Sequence, residues 1–131
     1  MKTDALNKLT EKIIGAVFTV HSRLGSGFVE KVYENALAIE LRNCGLVFET
    51  QKQIKVFYRN EVVGEFFADI LVEEKILLEL KAIKALTDLN SAQCVNYLKA
   101  TQLPFCLLIN FGEERAKVKR FINPDLRQSL E

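Results

Sequence analysis

Residues 66–82, FFADILVEEKILLELKA, are the most informative stretch of this 131-residue chain. They are typical of two apolar β-strands joined by an acidic turn. Asp69, Glu79 and Lys81, however, stand where a buried sheet normally carries Val, Ile or Leu. These three ionisable residues are therefore the first candidates for chemistry.

The length of the turn determines whether the two acids face each other. Side chains alternate along a strand, so Glu79 and Lys81 share one face. A two-residue loop would pair Asp69 with Leu78 and send Glu79 to the opposite face. A three-residue loop, residues 73–75, would make Asp69 and Glu79 direct cross-strand neighbours. The sequence leaves both registers open.

In the three-residue register, two carboxylates would face each other with β-carbons only about 5 Å apart. Their repulsion is roughly 3–4 kcal/mol at an effective dielectric of about 20. Lys81 offsets only part of that repulsion, so either one carboxyl holds a proton or a cation lies between the two. Mg²⁺ is often bound by one or two carboxylates plus waters. The pair is thus a candidate half of a metal site.

The alternative is a solvated ion pair between Glu79 and Lys81 on an exposed strand face, with Asp69 elsewhere. Most charged side chains do lie at the surface. The apolar density of ILLEL argues instead that both faces of this strand are covered. A buried carboxylate costs several kcal/mol unless it is paired or bound to metal. The pattern alone leaves both interpretations open.

Apolar periodicity predicts that residues 1–131 form one α/β domain with a central mixed sheet. The predicted order is α-α-β-β-β-α-β-β, with Ser26 as a candidate N-cap of the second helix and Thr87 or Asp88 as the cap of the third. The elements are helices over residues 4–24 and about 28–44, an antiparallel meander over 47–82, a helix from about 87 to 101, and strands over 105–111 and about 116–122. FCLLINF, residues 105–111, is typical of a strand buried on both faces.

Composition limits the class of protein. Apolar residues make up 49% and charged residues 27%, as in a globular domain, and no apolar run approaches the roughly 20 residues needed to cross a bilayer. The polar N-terminus lacks a signal-peptide core, so a cytoplasmic location without membrane contact is expected. With a net charge of +1, a nucleic-acid ligand would need a local basic patch.

The cysteines and the histidine carry no expected chemistry. Cys44, Cys94 and Cys106 have no metal-site spacing, so all three are expected to be buried free thiols. His21 is expected to be a half-exposed helix residue without a role.

Several stretches, taken in order, resemble a known pattern. Asp69, a loop and Glu79-Leu80-Lys81 resemble the D…(D/E)-x-K signature of the PD-(D/E)XK nuclease superfamily. GFVEKVY, residues 27–33, is similar to the motif of the GxxExxY family. SAQCVNYLKAT and LLINFG, residues 91–101 and 107–112, resemble that family's Q-x-x-x-Y-L-K-A helix and the strand after it.

This resemblance covers roughly residues 10–122 and implies a restriction-endonuclease-like core, with the acids at one edge of the sheet. RecB-like nucleases are the functional analogues that it suggests. It also implies hydrolysis of phosphodiester bonds with Mg²⁺ or Mn²⁺, and nucleic acid as the partner, with DNA favoured over RNA. Ala68 replaces the Pro of the superfamily name, but that Pro contributes no ligand.

The resemblance assigns a role to each candidate residue. Asp69 and Glu79 would bind the metal, with the backbone carbonyl of Leu80 as a third oxygen. Lys81 would orient the attacking water or contact the scissile phosphate. Glu30 would be a further acidic ligand, directly or through water. The alternative for Glu30 is an N-terminal acid that complements the helix dipole.

Two other groups keep two interpretations each. Gln93 and Tyr97 lie one helical turn apart and would hold a phosphate oxygen or position Lys81, unless Tyr97 is simply a core aromatic. Glu34, on the stripe of Glu30, is a weaker ligand candidate. The basic run at the end of the chain is suited to phosphate contacts or to protecting an edge strand from aggregation: Arg115, Lys117, Lys119 and Arg120.

Two other functions stay open beside nuclease activity. One is a non-catalytic nucleic-acid- or protein-binding module that keeps the nuclease fold. The other is a subunit that acts only within a homodimer or a larger complex.

Overall fold

The computed structural model describes residues 2–127, which form a five-stranded mixed sheet between helices. The order of elements agrees with the sequence prediction. They are α1 (Lys2–Leu24), α2 (Glu30–Asn43), β1 (Phe48–Tyr58), β2 (Glu61–Val72), β3 (Ile76–Lys81), α3 (Asp88–Thr101), β4 (Phe105–Asn110), β5 (Lys117–Ile122) and a 3₁₀ turn (Pro124–Leu126). The strands lie side by side in chain order, and only β3 and β4 are parallel.

Helices cover both faces of the central strands, which explains their continuous apolar sequences. On one face, Leu78 and Leu80 pack in the core formed with α1 and α2. On the other, Leu77 and Leu108 pack with residues of α3. All six residues of β4 are buried, as predicted for a strand covered on both sides.

The β2–β3 turn contains three residues, so the odd register is confirmed. Val72 and Ile76 are the first cross-strand partners, and the pairing continues to Ile70 and Leu78. Glu73 and Glu74 both have positive φ angles, 53° and 55°. These angles are unfavourable for glutamate, so the conformation needs support from its surroundings.

Val47 supplies that support. The N–H of Glu73 donates to the carbonyl of Val47 at 2.8 Å. The Glu73 carboxylate in turn accepts from the N–H of Val47. The turn is thus held to the chain segment that leads into β1, which stabilises the odd register.

The alternation of β2 breaks at Asp69. Residues two positions apart in a strand normally share a face. Here Ile70 packs against the α1–α2 side of the sheet, whereas Ala68 packs on the α3 side. Gln51 lies opposite Asp69 in β1 and has a φ angle of +52°. Beyond this point β1 and β2 stay paired without β3, and residues 52–68 form a projection that we name the β1–β2 arm.

The start of α2 differs from the prediction. Ser26 is not the N-cap, because the helix begins at Glu30 after Val29, which makes no side-chain capping bond. The entry is held instead by Tyr33, which is fully buried. Its hydroxyl donates to the carbonyl of Gly25 and accepts from the N–H of Phe28 at 3.3 Å. The tyrosine of the GxxExxY-like motif therefore has a structural role here.

Three further predictions concern single residues. Thr87 caps α3 in a reciprocal pair with Asn90, as predicted. The predicted half-exposure of His21 was wrong, because its ring is buried and its Nε2 lies 2.9 Å from the carbonyl oxygen of Glu113. Cys44 is exposed rather than buried, since it follows the last turn of α2.

The other two cysteines, Cys94 and Cys106, are buried free thiols, as expected. Within residues 2–127, none of the helices has the length and apolar character of a membrane span.

Candidate active site

Asp69 and Glu79 meet where the β2–β3 ladder ends. Asp69 Oδ2 accepts a hydrogen bond from the N–H of Leu80 at 2.7 Å. Glu79 Oε1 accepts one from the N–H of Asp69 at 3.2 Å. Side-chain oxygens thus bond to backbone groups beyond Ile70 and Leu78, the last backbone pair. The two carboxylates are fixed in place at the point where the strands separate.

The pKa values of this pair are raised, in agreement with the repulsion between the two carboxylates that the sequence predicts. Glu79 is only 4% exposed. Burial, followed by the charge of Asp69, raises the pKa of Glu79 to about 8. Burial also raises the pKa of Asp69, with smaller contributions from Glu34 and Glu30, although the Leu80 N–H opposes the shift. Holding both carboxylates ionised is therefore unfavourable without a cation.

Lys81 is the nearby positive charge, and it does not neutralise the pair. It lowers the pKa of both acids, but burial outweighs it in each case. Among the described residues, no ion pair joins Lys81 to a carboxylate. Its side chain instead lines an open cavity next to the site. The ammonium group is thus available to a ligand.

The donor set fits a hard divalent cation. Two facing carboxylates with a shared excess of negative charge are the oxygen ligands that Mg²⁺ uses, together with waters. Within residues 2–127, no cluster of three or more Asp, Glu, His or Cys side chains could hold a metal ion. Asp69 and Glu79 would therefore supply only part of a coordination shell, and water and substrate oxygens would complete it.

The two acids of α2 have different surroundings. Glu30 is exposed at the first helical residue, and its charge raises the pKa of both Asp69 and Glu79. Glu34 is 4% exposed and accepts from Lys31 Nζ and Gln51 Nε2, both at 2.8 Å. Glu30 is therefore free to approach a cation, whereas Glu34 is already engaged.

Gln51 was not a candidate in the sequence, yet it connects α2 to the site. Its amide binds Glu34, and its backbone lies opposite Asp69 at the break in the strands. No sequence signal marks it, because residues with a positive φ angle are usually Gly, Asn or Asp rather than Gln.

Gln93 and Tyr97 approach the acids from α3. Gln93 Nε2 donates to the Tyr97 hydroxyl at 2.9 Å. Burial, followed by the charge of Glu79, raises the pKa of Tyr97 to about 12. Its ring lies 5.7 Å from that of Phe66 on the arm. Gln93, Tyr97 and Lys81 line one cavity of about 920 Å³, so the structure brings these predicted residues together.

The basic run near the C-terminus lies elsewhere. β5 is an outer strand of the sheet, separated from β3 by β4. Lys117 Nζ is 3.8 Å from a Glu113 carboxylate oxygen, and Arg120 donates to Asn7 and lies over the ring of Phe105. These contacts favour the edge-strand interpretation of the run over a place in the site.

Two comparisons with known proteins concern the sequence of the chain. A family model described as the PD-(D/E)XK nuclease superfamily matches residues 7–121. No curated protein matches the chain significantly.

Two solved structures align with about three quarters of the chain. The crystal structure of an alkaline exonuclease (LHK-Exo) from Laribacter hongkongensis aligns with a TM-score of 0.49 and 13% identity, over 76% of this chain and 58% of that one. The crystal structure of SSO0001 aligns with a TM-score of 0.50 and 13% identity, over 76% of this chain and 52% of that one. The matched region spans little more than half of each of those two proteins. At 13% identity, the likeness to SSO0001 concerns the fold alone.

Proposed function

The chain belongs to the PD-(D/E)XK nuclease superfamily, and we propose that it hydrolyses nucleic-acid phosphodiester bonds with Mg²⁺ or Mn²⁺. The observation that carries the proposal is the pair of facing carboxylates, the half-buried Asp69 and the buried Glu79, next to the unpaired Lys81. The motif in residues 27–33 supports placing the chain in the GxxExxY family within this superfamily, and DNA is the proposed substrate in preference to RNA.

Asp69 and Glu79 would hold the metal, with the Leu80 carbonyl as the third protein oxygen. The Lys81 carbonyl accepts from the N–H of Phe111, just past the end of β4. Successive residues of a strand point their backbone groups to opposite neighbours, so the Leu80 carbonyl faces the side of Asp69. The Leu80 N–H already bonds to Asp69 on that side. When bound, a divalent cation lowers the pKa of a water ligand and stabilises charge on the phosphate.

The remaining residues would bind and orient the substrate. Lys81 shares a strand face with Glu79 and opens into the cavity, where its ammonium can contact a phosphate oxygen or orient the attacking water. With a pKa of about 12, Tyr97 keeps its proton at neutral pH and serves as a hydrogen-bond donor. Gln93 fixes the Tyr97 hydroxyl. Glu30 would bind the metal through water.

The test is cleavage of a panel of single- and double-stranded DNA and RNA in the presence of Mg²⁺ or Mn²⁺. Asp69→Asn and Lys81→Ala should abolish cleavage while the fold is kept. Lys119→Ala is the matched control, because Lys119 is an exposed lysine on the outer strand β5. Cleavage that survives both site substitutions would come from a contaminant and would contradict the proposal.

One observation favours a second candidate, a non-catalytic binding module that keeps the nuclease fold. Within the described residues, the site offers two carboxylates rather than three or more clustered ligands. Calorimetric titration with Mn²⁺ separates the two functions. Binding in the micromolar to millimolar range that disappears in Asp69→Asn favours the nuclease, and no binding at millimolar metal favours the module.

A further inference from the structure

The cavity next to Lys81 continues away from the acids as a groove between the β1–β2 arm and α3. Its volume is about 920 Å³. The arm contributes Lys55, Phe57 and Phe66, and α3 contributes Gln93, Asn96 and Lys99. Lys81 is one of the lining residues and is close enough to both acids to lower their pKa values, so a molecule in the groove would lie beside the carboxylate pair.

Aromatic side chains are exposed along the arm side of this groove. Phe57 is 61% exposed and Phe66 is 44% exposed. The Phe66 ring is tilted against that of Tyr97, with 5.7 Å between centroids, so it lies next to a residue of the candidate site. Large aromatic groups that are exposed beside a candidate active site are suited to stacking with a planar ligand.

The charge of the groove has one sign. Three lysines line it, Lys55, Lys81 and Lys99, and none of the described lining residues is acidic. Glu65 lies across from Lys55 in the β1–β2 register, but no ion pair joins them within the described part of the chain. The chain as a whole has a net charge of only +1, so this grouping is local. It is complementary to a polyanion.

We infer that this groove binds an unpaired nucleic-acid strand and leads it to the carboxylate pair. Bases stack on Phe57 and Phe66, and phosphates lie near Lys55 and Lys99. An unpaired strand fits because its base faces are free, whereas those of a duplex are covered by neighbouring bases. The inference rests on the proposed nuclease function and names its substrate class. DNA and RNA strands share the base faces and phosphates on which it depends.

Binding of fluorescent fifteen-nucleotide probes tests the inference in EDTA, where metal-dependent cleavage cannot occur. Fluorescence anisotropy compares oligo-dT, oligo-U and the oligo-dT·oligo-dA duplex. At least one single strand should bind on the order of tenfold more tightly than the duplex, since stacking contributes about 1–3 kcal/mol per base. The single strand that binds more tightly, oligo-dT or oligo-U, shows whether the groove prefers DNA or RNA.

Two substitutions locate the binding in the groove. Phe57→Ala should weaken single-strand binding about fivefold or more. Phe67→Ala is the matched control, because Phe67 is a neighbouring arm phenylalanine, 52% exposed, outside the groove lining. Lys99→Ala should reduce the slope of log affinity against log salt by about 0.7, and Lys119→Ala should not. Circular dichroism confirms that each variant is folded.

Several results would overturn the inference. The first is a duplex affinity equal to or higher than that of the single strands. The second is an equal loss of affinity in Phe57→Ala and Phe67→Ala, together with an unchanged salt slope in Lys99→Ala. The third is no binding of either single strand. In the last case, dimerisation that Phe57→Ala abolishes would assign the aromatic surface to a second copy of the chain.

The binding assay and the cleavage assay fail separately. Groove-dependent binding without metal-dependent cleavage would support the groove and contradict the proposed nuclease function. The opposite outcome is cleavage that is lost in Asp69→Asn, together with a single-strand affinity that Phe57→Ala and Lys99→Ala leave unchanged. It would support the nuclease and overturn the groove.

Discussion

Asp69 and Glu79 face each other across the β2–β3 hairpin, and each carboxylate accepts a hydrogen bond from a backbone N–H, those of Leu80 and Asp69 respectively. This arrangement fixes a half-buried and a buried acid side by side where the strands separate. Testable predictions follow from the cost of their ionisation, from the open cavity beside Lys81, from the acids of α2 and from the backbone of the β2–β3 turn.

The stability of the metal-free protein should fall as pH rises from about 5 to 8. Glu79 has a folded pKa of about 8 against an ordinary value of 4.5. The folded state therefore binds more protons than the unfolded state in this window, and the free energy of unfolding decreases with pH. Urea denaturation in EDTA should show a loss on the order of a few kcal/mol.

Glu79→Gln is the decisive variant for this pH effect. Glutamine keeps the shape and has no carboxyl proton to lose, so most of the pH dependence between 5 and 8 should disappear. Glu49→Gln, which removes an exposed strand glutamate, should leave the dependence as in the wild type. A wild-type stability that is constant or rises over this window would contradict a buried Glu79 that is repelled by Asp69.

Glu30 should act on metal binding and not on stability. If it binds the metal through water, Glu30→Gln should weaken the apparent Mn²⁺ affinity about tenfold or more. If it only complements the helix dipole, the same change should lower the free energy of unfolding by about 0.3–1 kcal/mol and leave metal affinity unchanged. Calorimetry and urea denaturation of one variant therefore distinguish the two roles.

Tyr97→Phe should slow cleavage and keep the fold. The change removes the hydroxyl that Gln93 orients, while the ring contact with Phe66 stays. A lost hydrogen bond to a charged group costs about 1.5–3 kcal/mol, which corresponds to roughly ten- to hundredfold in kcat. Tyr33→Phe is the contrast, because its hydroxyl bonds to the backbone of Gly25 and Phe28. It should cost stability, and equal losses of stability in both variants would contradict a role for the Tyr97 hydroxyl.

Glu74→Gly should stabilise the protein by about 0.5–1 kcal/mol. Glu74 is exposed and has a φ angle of 55°, which glycine adopts without steric cost. Lys75→Gly is the matched control in the same turn and should be neutral or destabilising, because Lys75 does not have a positive φ angle. A drop in thermal stability of Glu74→Gly would contradict the turn conformation that sets the register.

The elements of the fold could be predicted because its strands and helices have strong periodicity. The continuous apolar run of residues 105–110 predicts the buried strand β4, and the apolar spacing of residues 4–24 predicts the helix α1. The register of the β2–β3 hairpin could only be narrowed to two alternatives. The contact that selects between them, Glu73 with Val47, joins residues that are distant in sequence and follows no pattern.

The acids, Lys81, Gln93 and Tyr97 of the candidate site could be predicted, but Gln51 and the groove could not. Asp69, Glu79 and Lys81 are conspicuous because they interrupt apolar strands. Gln51 is not, since its role depends on a backbone angle and on a contact with Glu34. The groove could not be predicted either, because a strand sequence does not distinguish an exposed phenylalanine from a buried one. That distinction depends on where β3 ends and leaves β1 and β2 as a separate arm.

The most direct test of the central claim is a crystal structure with Mn²⁺, read by anomalous scattering. We expect a Mn²⁺ peak bound by carboxylate oxygens of both Asp69 and Glu79, with the Leu80 carbonyl as the third protein oxygen. A peak elsewhere in the molecule, or no peak between these two carboxylates at millimolar Mn²⁺, would contradict it.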